Sequence, residues 1–356
     1  MCGQIEHEDP GHQHERCLAS PRAFEGPPVD PIALMPVDEV TITTLVDNSY
    51  DALMGNMGPA KRMPLGRLPK VATPNFDVGF TVSGLVAEHG FSALVTIRRG
   101  ERTHTLLFDT GVSPDGMATN MEHLGVDVAA IEGIVLSHGH FDHAGGFEGL
   151  ARLRKRSGLP IVLHPLVWTR RRLALPGNPE WELPTLSRRA IEGEGFAVIE
   201  RREPSLVLDG CALVTGEIDR TTEFERGFPF HEALHGTVWQ ADPLILDDQA
   251  LIVNVRGRGL VVLTGCGHAG AVNIARSALR LTGTERLHAL LGGFHLTGAA
   301  FEPIIAPTIA ALSDLAPDYI VPAHCTGWKA QHRLAAALPD AFIPNAVGTS
   351  FVLAAA

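Results

Sequence analysis

Ile134-Val135-Leu136-Ser137-His138-Gly139-His140-Phe141-Asp142-His143-Ala144-Gly145-Gly146 is the stretch whose reading decides the fold. Its first three residues are apolar and two are β-branched, which predicts a short buried strand. Directly behind that strand, His138, His140, Asp142 and His143 fall within six positions. Side chains alternate along an extended loop, so His138 and His140 project to one side and can reach one ion at ~2.0–2.1 Å. Asp142 and His143 stand where the chain turns into the next helix and can reach a second ion nearby. Imidazole and carboxylate donors suit zinc, with manganese or iron as alternatives. Gly139, Gly145 and Gly146 leave room for tight backbone turns around the ions. A polar surface loop gives no reason for four ligand-type side chains to follow a buried strand so closely.

Working outward, residues 40–46 alternate with β-branched side chains and predict a strand ended by Asp47-Asn48. Residues 91–97 and 103–108 predict two more around Arg99-Gly100, the second ending in Asp109-Thr110-Gly111. A helix over 117–124 leads into the histidine loop, and helix 147–156 and strand 160–163 follow it. Residues 165–235, with many Arg, Pro and Gly, are expected to be less regular, loops and short elements over the site. A hairpin at 251–255 and 260–263 turns at Arg256-Gly257-Arg258-Gly259. Helix 271–281, strand 287–291, helix 303–315 and strand 319–321 complete the pattern. Hairpins early and strand–helix alternation late predict an α/β fold, two sheets with helices outside and a site at one rim. Residues 1–37 show no apolar periodicity and are expected to be a disordered extension to a single domain over 38–356. His7, His12, His14 and Cys17 in that extension could form an accessory metal site, but a polar tail whose histidines happen to cluster is the favoured reading.

Three later histidines, His268, His295 and His324, each follow a predicted buried strand in a glycine-containing loop. That placement suits a metal ligand or a catalytic acid. His231 and His235 have the spacing of a helical ligand pair, but Pro229 and Gly236 oppose a helix there, and His231 is expected at the substrate mouth. Arg171 and Arg172, in a run of three arginines after Trp168, could bind an anionic substrate group. A solvated basic edge is the favoured reading, because charge runs usually face water.

The motif His138-X-His140-X-Asp142-His143 resembles the signature of the metallo-β-lactamase superfamily, and Leu107-Phe108-Asp109-Thr110-Gly111 resembles its upstream strand end. Further segments are similar to one branch, the group related to the archaeal dihydropterin–ribofuranosylaminobenzene phosphate synthase. They are Glu88-His89-Gly90-Phe91-Ser92, Thr215-Gly216-Glu217-Ile218, Thr264-Gly265-Cys266-Gly267-His268-Ala269-Gly270, Gly292-Gly293-Phe294-His295-Leu296 and Pro322-Ala323-His324-Cys325-Thr326-Gly327. The resemblance runs in order from about residue 40 to the C-terminus. It implies an αβ/βα sandwich of two mixed sheets with helices on the outer faces and a dinuclear metal site between the sheets. By that analogy His324 completes a second metal with Asp142 and His143, and His268 completes the first with His138 and His140. The superfamily usually bridges both ions with an aspartate at a strand end, and here that strand end reads Thr264-Gly265-Cys266. Cys266 either ligates as a thiolate or packs as a small buried residue beneath the loop. His295 is a ligand or, failing that, the group that protonates the leaving group.

Composition bounds what the site can act on. A net charge of −11 disfavours a broad phosphate-neutralising surface, so no nucleic-acid partner is expected. No apolar run is long enough for a membrane span, no secretory signal is visible, and five scattered cysteines do not form a disulfide framework. The expected setting is cytoplasmic, and the expected partner a small-molecule substrate. The expected activity is that of a dinuclear-metal-dependent hydrolase of a small ester, lactone, amide or phosphoester, attacking through a metal-bound hydroxide. Asp142 would both ligate and orient the nucleophile, and Asp109 would fix an imidazole tautomer. The resemblance also implies a transferase as an alternative. A non-catalytic metal-binding or sensing protein is a third reading, which the full ligand set argues against.

Overall fold

The structure, a computed structural model, describes residues 30–155 and 157–356. β1 (Glu39–Val46) alternates half-buried and buried side chains along its first six residues, as its Val/Thr/Ile alternation requires. The chain then makes an excursion through β2 (Ala60–Lys61) and the hairpin of β3 (Lys70–Ala72) and β4 (Phe80–Val82). β5 (Ser92–Arg99) and β6 (Arg102–Phe108) pair antiparallel about Gly100. From there strands and helices alternate: α1 (Gly116–Leu124), β7 (Gly133–Val135), α2 (Phe141–Ala144), α3 (Phe147–Arg154) and β8 (Leu159–Leu163). β9 (Arg171–Leu173), β10 (Trp181–Glu182), α4 (Arg188–Gly193) and β11 (Phe196–Glu200) end the first half. The second half opens with β12 (Ser205–Val207), β13 (Ala212–Val214), β14 (His231–His235) and β15 (Val238–Ala241). The hairpin of β16 (Ala250–Val255) and β17 (Gly259–Thr264) follows, then α5 (Ala271–Thr282) and β18 (Leu287–Gly293). α6 (Ile305–Leu315), β19 (Tyr319–Ala323), α7 (Trp328–Ala337) and β20 (Ser350–Ala354) close the chain.

Two mixed sheets carry the fold. The first has eight strands in the order β11-β8-β7-β6-β5-β1-β20-β2, parallel from β11 to β6 and antiparallel beyond. The second has six, β12-β13-β16-β17-β18-β19, and its last three are parallel. Ile42, Val95 and Phe108 of the first sheet meet Leu251, Val261 and Leu291 of the second in a core between them. On the outer face of the second sheet α5 buries Ala271, Ile274, Ala275, Ala278 and Leu281, the three- and four-residue spacing of one helical face. Met117 and Met121 of α1, Leu150 of α3 and Ile191 of α4 cover the other outer face. This is the expected αβ/βα sandwich. The parallel strands β6, β7, β17, β18 and β19 end at one rim, and the loops leaving carboxyl ends of parallel strands are where such sheets bind ligands.

Three expectations need refinement. Residues 165–235 are the loops and short elements expected, but those elements are organised: with β15, strands β9, β10 and β14 form a separate four-stranded sheet, β11 extends the first main sheet, and β12 and β13 extend the second. These strands are too short, and too often interrupted by Pro and Gly, to show period-two alternation. The folded body also begins before residue 38. Ile32 N donates to Leu281 O (2.7 Å), Met35 N to Gly210 O (2.9 Å) and Val37 N to Asn254 O (2.8 Å), while Leu34 and Val37 are buried. The histidine cluster at His7, His12 and His14 lies outside the described residues. The third is at the C-terminus, where α7 and β20 were not anticipated. Phe351 of β20 pairs across to Ile42 and to Ala60 and is buried in the central core. Phe351→Ala is therefore expected to cost about 3–5 kcal/mol of unfolding free energy, measured by denaturant titration; a loss below about 1 kcal/mol would remove β20 from the core.

Candidate metal centre

The loop after β7 carries His138 and His140, and α2 carries Asp142 and His143. The loop after β17 brings in Cys266 and His268, and β19 runs straight into His324. These side chains converge. His138 Nε2 lies 2.9 Å from His140 Nδ1, which lies 3.1 Å from His268 Nε2. Across the site, Asp142 Oδ2 lies 3.1 Å from His324 Nε2 and 3.7 Å from His143 Nε2. Cys266 Sγ sits between the two sets, 3.2 Å from His143 Nε2 and within 4.8 Å of the donor atoms of His138 and His268. The backbone must come in close to allow this. At Gly145 an added Cβ would lie 1.9 Å from Val112 O, so the α2 turn can pack on the loop after β6 only with glycine there.

Hydrogen bonds on the outer side of His138, His140, His143 and His324 decide which nitrogen faces inward, whereas His268 Nδ1 is buried without a partner. Ser137 Oγ donates to Asp109 Oδ2 (2.7 Å) and so accepts from His138 Nδ1 (2.9 Å), leaving the His138 Nε2 lone pair pointing into the site. His143 Nδ1 donates to Asp109 Oδ2 (2.7 Å), the role expected of Asp109. His324 Nδ1 donates to Asn48 Oδ1 (3.1 Å), and Asp47 accepts from the His324 backbone N–H (2.7 Å). His231 Nδ1 donates to the Asp242 carbonyl (3.1 Å), so its Nε2 accepts from His140 Nε2 (2.9 Å) and turns the His140 Nδ1 lone pair inward. Such outer partners fix the tautomer of a metal-ligating histidine and raise its basicity.

Inward lone pairs about 3 Å apart repel unless a cation lies between them. Nitrogens ~2.0–2.1 Å from one tetrahedral ion would be roughly 3.3 Å apart, close to the spacing seen. Burial drives the pKa values of His138, His140 and His268 well below the usual histidine range, keeping them neutral as metal ligation requires. His143 behaves differently: burial opposes its charge, but the Asp142 and Asp109 carboxylates outweigh that and push it up to about 9. Burial also opposes the charge of Asp142, but His143 and His324 hold its carboxyl below the usual range. His324 Nε2 is buried and makes no hydrogen bond. Two groups of donors could hold metal: Asp142, His143 and His324 gather about the Cys266 sulfur, and so do His138 and His268, with His140 beside them.

The remaining candidates fall elsewhere. His295 packs its ring 4.3 Å from that of His268 and is walled by Phe228 and Phe301, so it faces the site without joining either triad. His231 was expected at the substrate mouth; it is fully buried behind His140 instead, because β14 is a strand that turns it inward while His235 stays exposed. Arg171 is neither a solvated edge nor an open anion pocket. Its buried guanidinium grips Asp247 at 2.5 and 2.8 Å and Asp242 at 3.1 Å. Arg172 pairs with Glu232 and Glu180 and lies over the Trp239 ring.

Several residues at the site escaped sequence reasoning. Asp247 Oδ2 accepts from Gly139 N (2.9 Å), bracing the histidine loop, and Asp248 Oδ2 accepts from Ala269 N (2.8 Å), bracing the loop of His268. Two adjacent acids just before a buried strand were the available signal. Asn48 and His89 stand on the Asp142 side, with His89 Nε2 3.9 Å from Asp142 Oδ2 and its side chain largely exposed. His231→Phe, which removes the acceptor for His140, is expected to weaken metal binding about 10–100-fold in competition with a chelator while circular dichroism is unchanged. Unaltered affinity would show that His231 does not orient His140.

Residues 87–190 match the family model described as the metallo-beta-lactamase superfamily. The chain is 30% identical over 253 residues to the 7,8-dihydropterin-6-methyl-4-(beta-D-ribofuranosyl)-aminobenzene-5'-phosphate synthase of Methanocaldococcus jannaschii, covering 69% of this chain and 83% of that one. An uncharacterized protein of the same archaeon is 28% identical, over 70% of this chain and 88% of its own. Among solved structures, Tm1679, described as a metal-dependent hydrolase of the beta-lactamase superfamily, superposes with a TM-score of 0.65 at 22% identity, over 88% of this chain and 99% of that one. With the fold and the ordered motifs in agreement, the chain belongs to the metallo-β-lactamase superfamily, on the branch that includes the archaeal dihydropterin–ribofuranosylaminobenzene phosphate synthase.

Proposed function

We propose that this protein is a dinuclear-metal-dependent hydrolase that opens a small ester, lactone or amide. The observation that carries the reading is the pair of facing donor triads, His138/His140/His268 and Asp142/His143/His324, with the Cys266 sulfur between them. Imidazole and thiol donors favour zinc over the harder cations. Held by these donors, metal ions would supply Lewis acidity and lower the pKa of bound water. The chain's own groups do the rest. Asp142, held ionised by its histidine neighbours, orients the attacking water. His295, on the far side of His268 and against Phe228 and Phe301, delivers a proton to the leaving group. The phenyl rings exclude water from that side and give an apolar substrate portion a surface to rest on.

Phosphoesters rank below carboxylic esters because both arginines suited to a phosphate are already held by acids, Arg171 by Asp247 and Asp242 and Arg172 by Glu180 and Glu232. The second reading is a transferase. The Methanocaldococcus relative is a synthase whose named product carries a ribose 5'-phosphate, and its 30% identity spans most of both chains. A non-catalytic sensor is disfavoured by the complete donor set. Among the described residues Cys211, Cys266 and Cys325 are free thiols, and no helix is long and apolar enough to cross a membrane. The three free thiols favour a reducing compartment.

The test is a substrate screen with and without chelator, on wild type, His140→Ala, Asp142→Ala and His295→Gln. Chelator-sensitive ester or lactone cleavage is expected. It should fall to background in the first two variants, which should hold less metal with an intact fold, and fall about 10²–10⁴-fold in kcat for His295→Gln. Condensation of a pterin pyrophosphate with a phosphorylated aryl riboside, without any hydrolysis of esters, would instead establish the transferase. Full turnover by Asp142→Ala would sink both.

A further inference from the structure

The carboxyl ends of three neighbouring strands, β17, β18 and β19, assemble another donor set beside the two triads. Cys266 Sγ, Cys325 Sγ and one ring nitrogen of His295 lie within 4.8 Å of one another. Both thiols are buried and His295 is half-buried. His295 Nδ1 is shielded from solvent and makes no hydrogen bond. The Cys325 thiol donates to the Cys266 carbonyl oxygen (3.1 Å), which holds its sulfur against the loop of Cys266.

The backbone is pared back to allow this approach. A Cβ at Gly293 would stand 2.4 Å from Gly265 O and 2.7 Å from Cys325 Sγ, so β18 can pass between the other two loops only as glycine. His295 and His324, which flank the thiols, both hold left-handed φ values of 42° and 48°, a conformation that residues other than glycine seldom adopt. Strain of that kind persists where surrounding structure over-determines it and clusters at functional sites. A cysteine kept for packing alone would be expected among apolar side chains. Cys266 and Cys325 lie among imidazoles instead.

Two sulfurs and one imidazole leave a fourth position open, the Cys₂His arrangement that binds zinc with an exchangeable ligand. We propose that Cys266, Cys325 and His295 form a third cation position for a thiophilic ion such as Zn²⁺ or Cd²⁺, joined to the two-metal site through the shared Cys266 sulfur. Coordination forms two metal–sulfur bonds and one metal–nitrogen bond. Each thiol that joins loses its proton to solvent, and no oxidation state changes. An ion held there occupies the His295 ring, so excess metal takes that imidazole out of proton transfer. The position depends on these three side chains and not on the hydrolytic reading, which stands or falls on turnover.

The experiment is a Cd²⁺ titration of the metal-stripped full chain, followed by equilibrium dialysis and by thiolate-to-metal charge-transfer absorbance. Wild type is expected to bind one equivalent more than Cys325→Ser and one more than His295→Gln, and Cys325→Ser should lose the absorbance of one thiolate. Cys211→Ser, a buried thiol outside the cluster, should titrate as wild type. Equal stoichiometry and equal absorbance in wild type and Cys325→Ser would overturn the proposal, as would a loss in Cys211→Ser matching that in Cys325→Ser.

Discussion

At the rim of this sandwich the chain places imidazole nitrogens about 3 Å apart with their lone pairs facing inward. Without a cation that arrangement costs free energy on two counts, the loss of hydration of buried polar groups and their mutual repulsion. Burial opposes the charge of His143, but the Asp142 and Asp109 carboxylates outweigh it and push that ring up to about 9, while burial keeps His138, His140 and His268 neutral. Much of the surrounding structure holds those rings where a cation can satisfy them.

The holding is done from behind. Asp109 grips both the backbone N–H and the hydroxyl of Ser137 and also the His143 ring, so one buried carboxylate positions two of the candidate ligands. Asp247 ties Gly139 to the Arg171 guanidinium. Burial opposes its charge, yet Arg171 holds its carboxyl down to about 2, so it stays ionised across the physiological range. A buried pair of that kind is poor evidence of net stability, but removing one partner is costly, which suits a brace that must not move. The small sheet built on β9 and β14 thereby has a purpose beyond covering the rim: it delivers Arg171 and His231 to the backs of the histidine loop and of His140.

Much of this was legible in the sequence, and the reason is local. The run from His138 to His143, and histidines just beyond β17 and β19, are short-range patterns whose geometry follows from strand and loop periodicity. The helices α1, α3 and α5 and the hairpin of β16 and β17 were equally plain, because each is long enough for its period to show. What escaped was set by tertiary contact. The pairing of β9 with β14 joins residues about sixty apart, and no window along the chain contains both. His231 looked like half of a helical pair because His235 is four residues on; in strand β14 both lie on one face, and His235 is exposed because it ends the strand at the turn. Arg171 looked like a surface charge because its acidic partner, Asp247, lies 76 residues downstream. Cys266 remained open between ligand and packing residue until the three strand ends could be seen to meet.

The most direct measurement is a crystal structure of the zinc-loaded protein with anomalous data collected at the zinc edge. Two peaks ~3.5–4 Å apart are expected within the triads, one within ~2.0–2.1 Å of His138 Nε2, His140 Nδ1 and His268 Nε2, the other on Asp142, His143 and His324. A rim that stays closed on hydrogen-bonded, protonated histidines in saturating zinc, with no anomalous density between them, would contradict the reading on which all the rest depends.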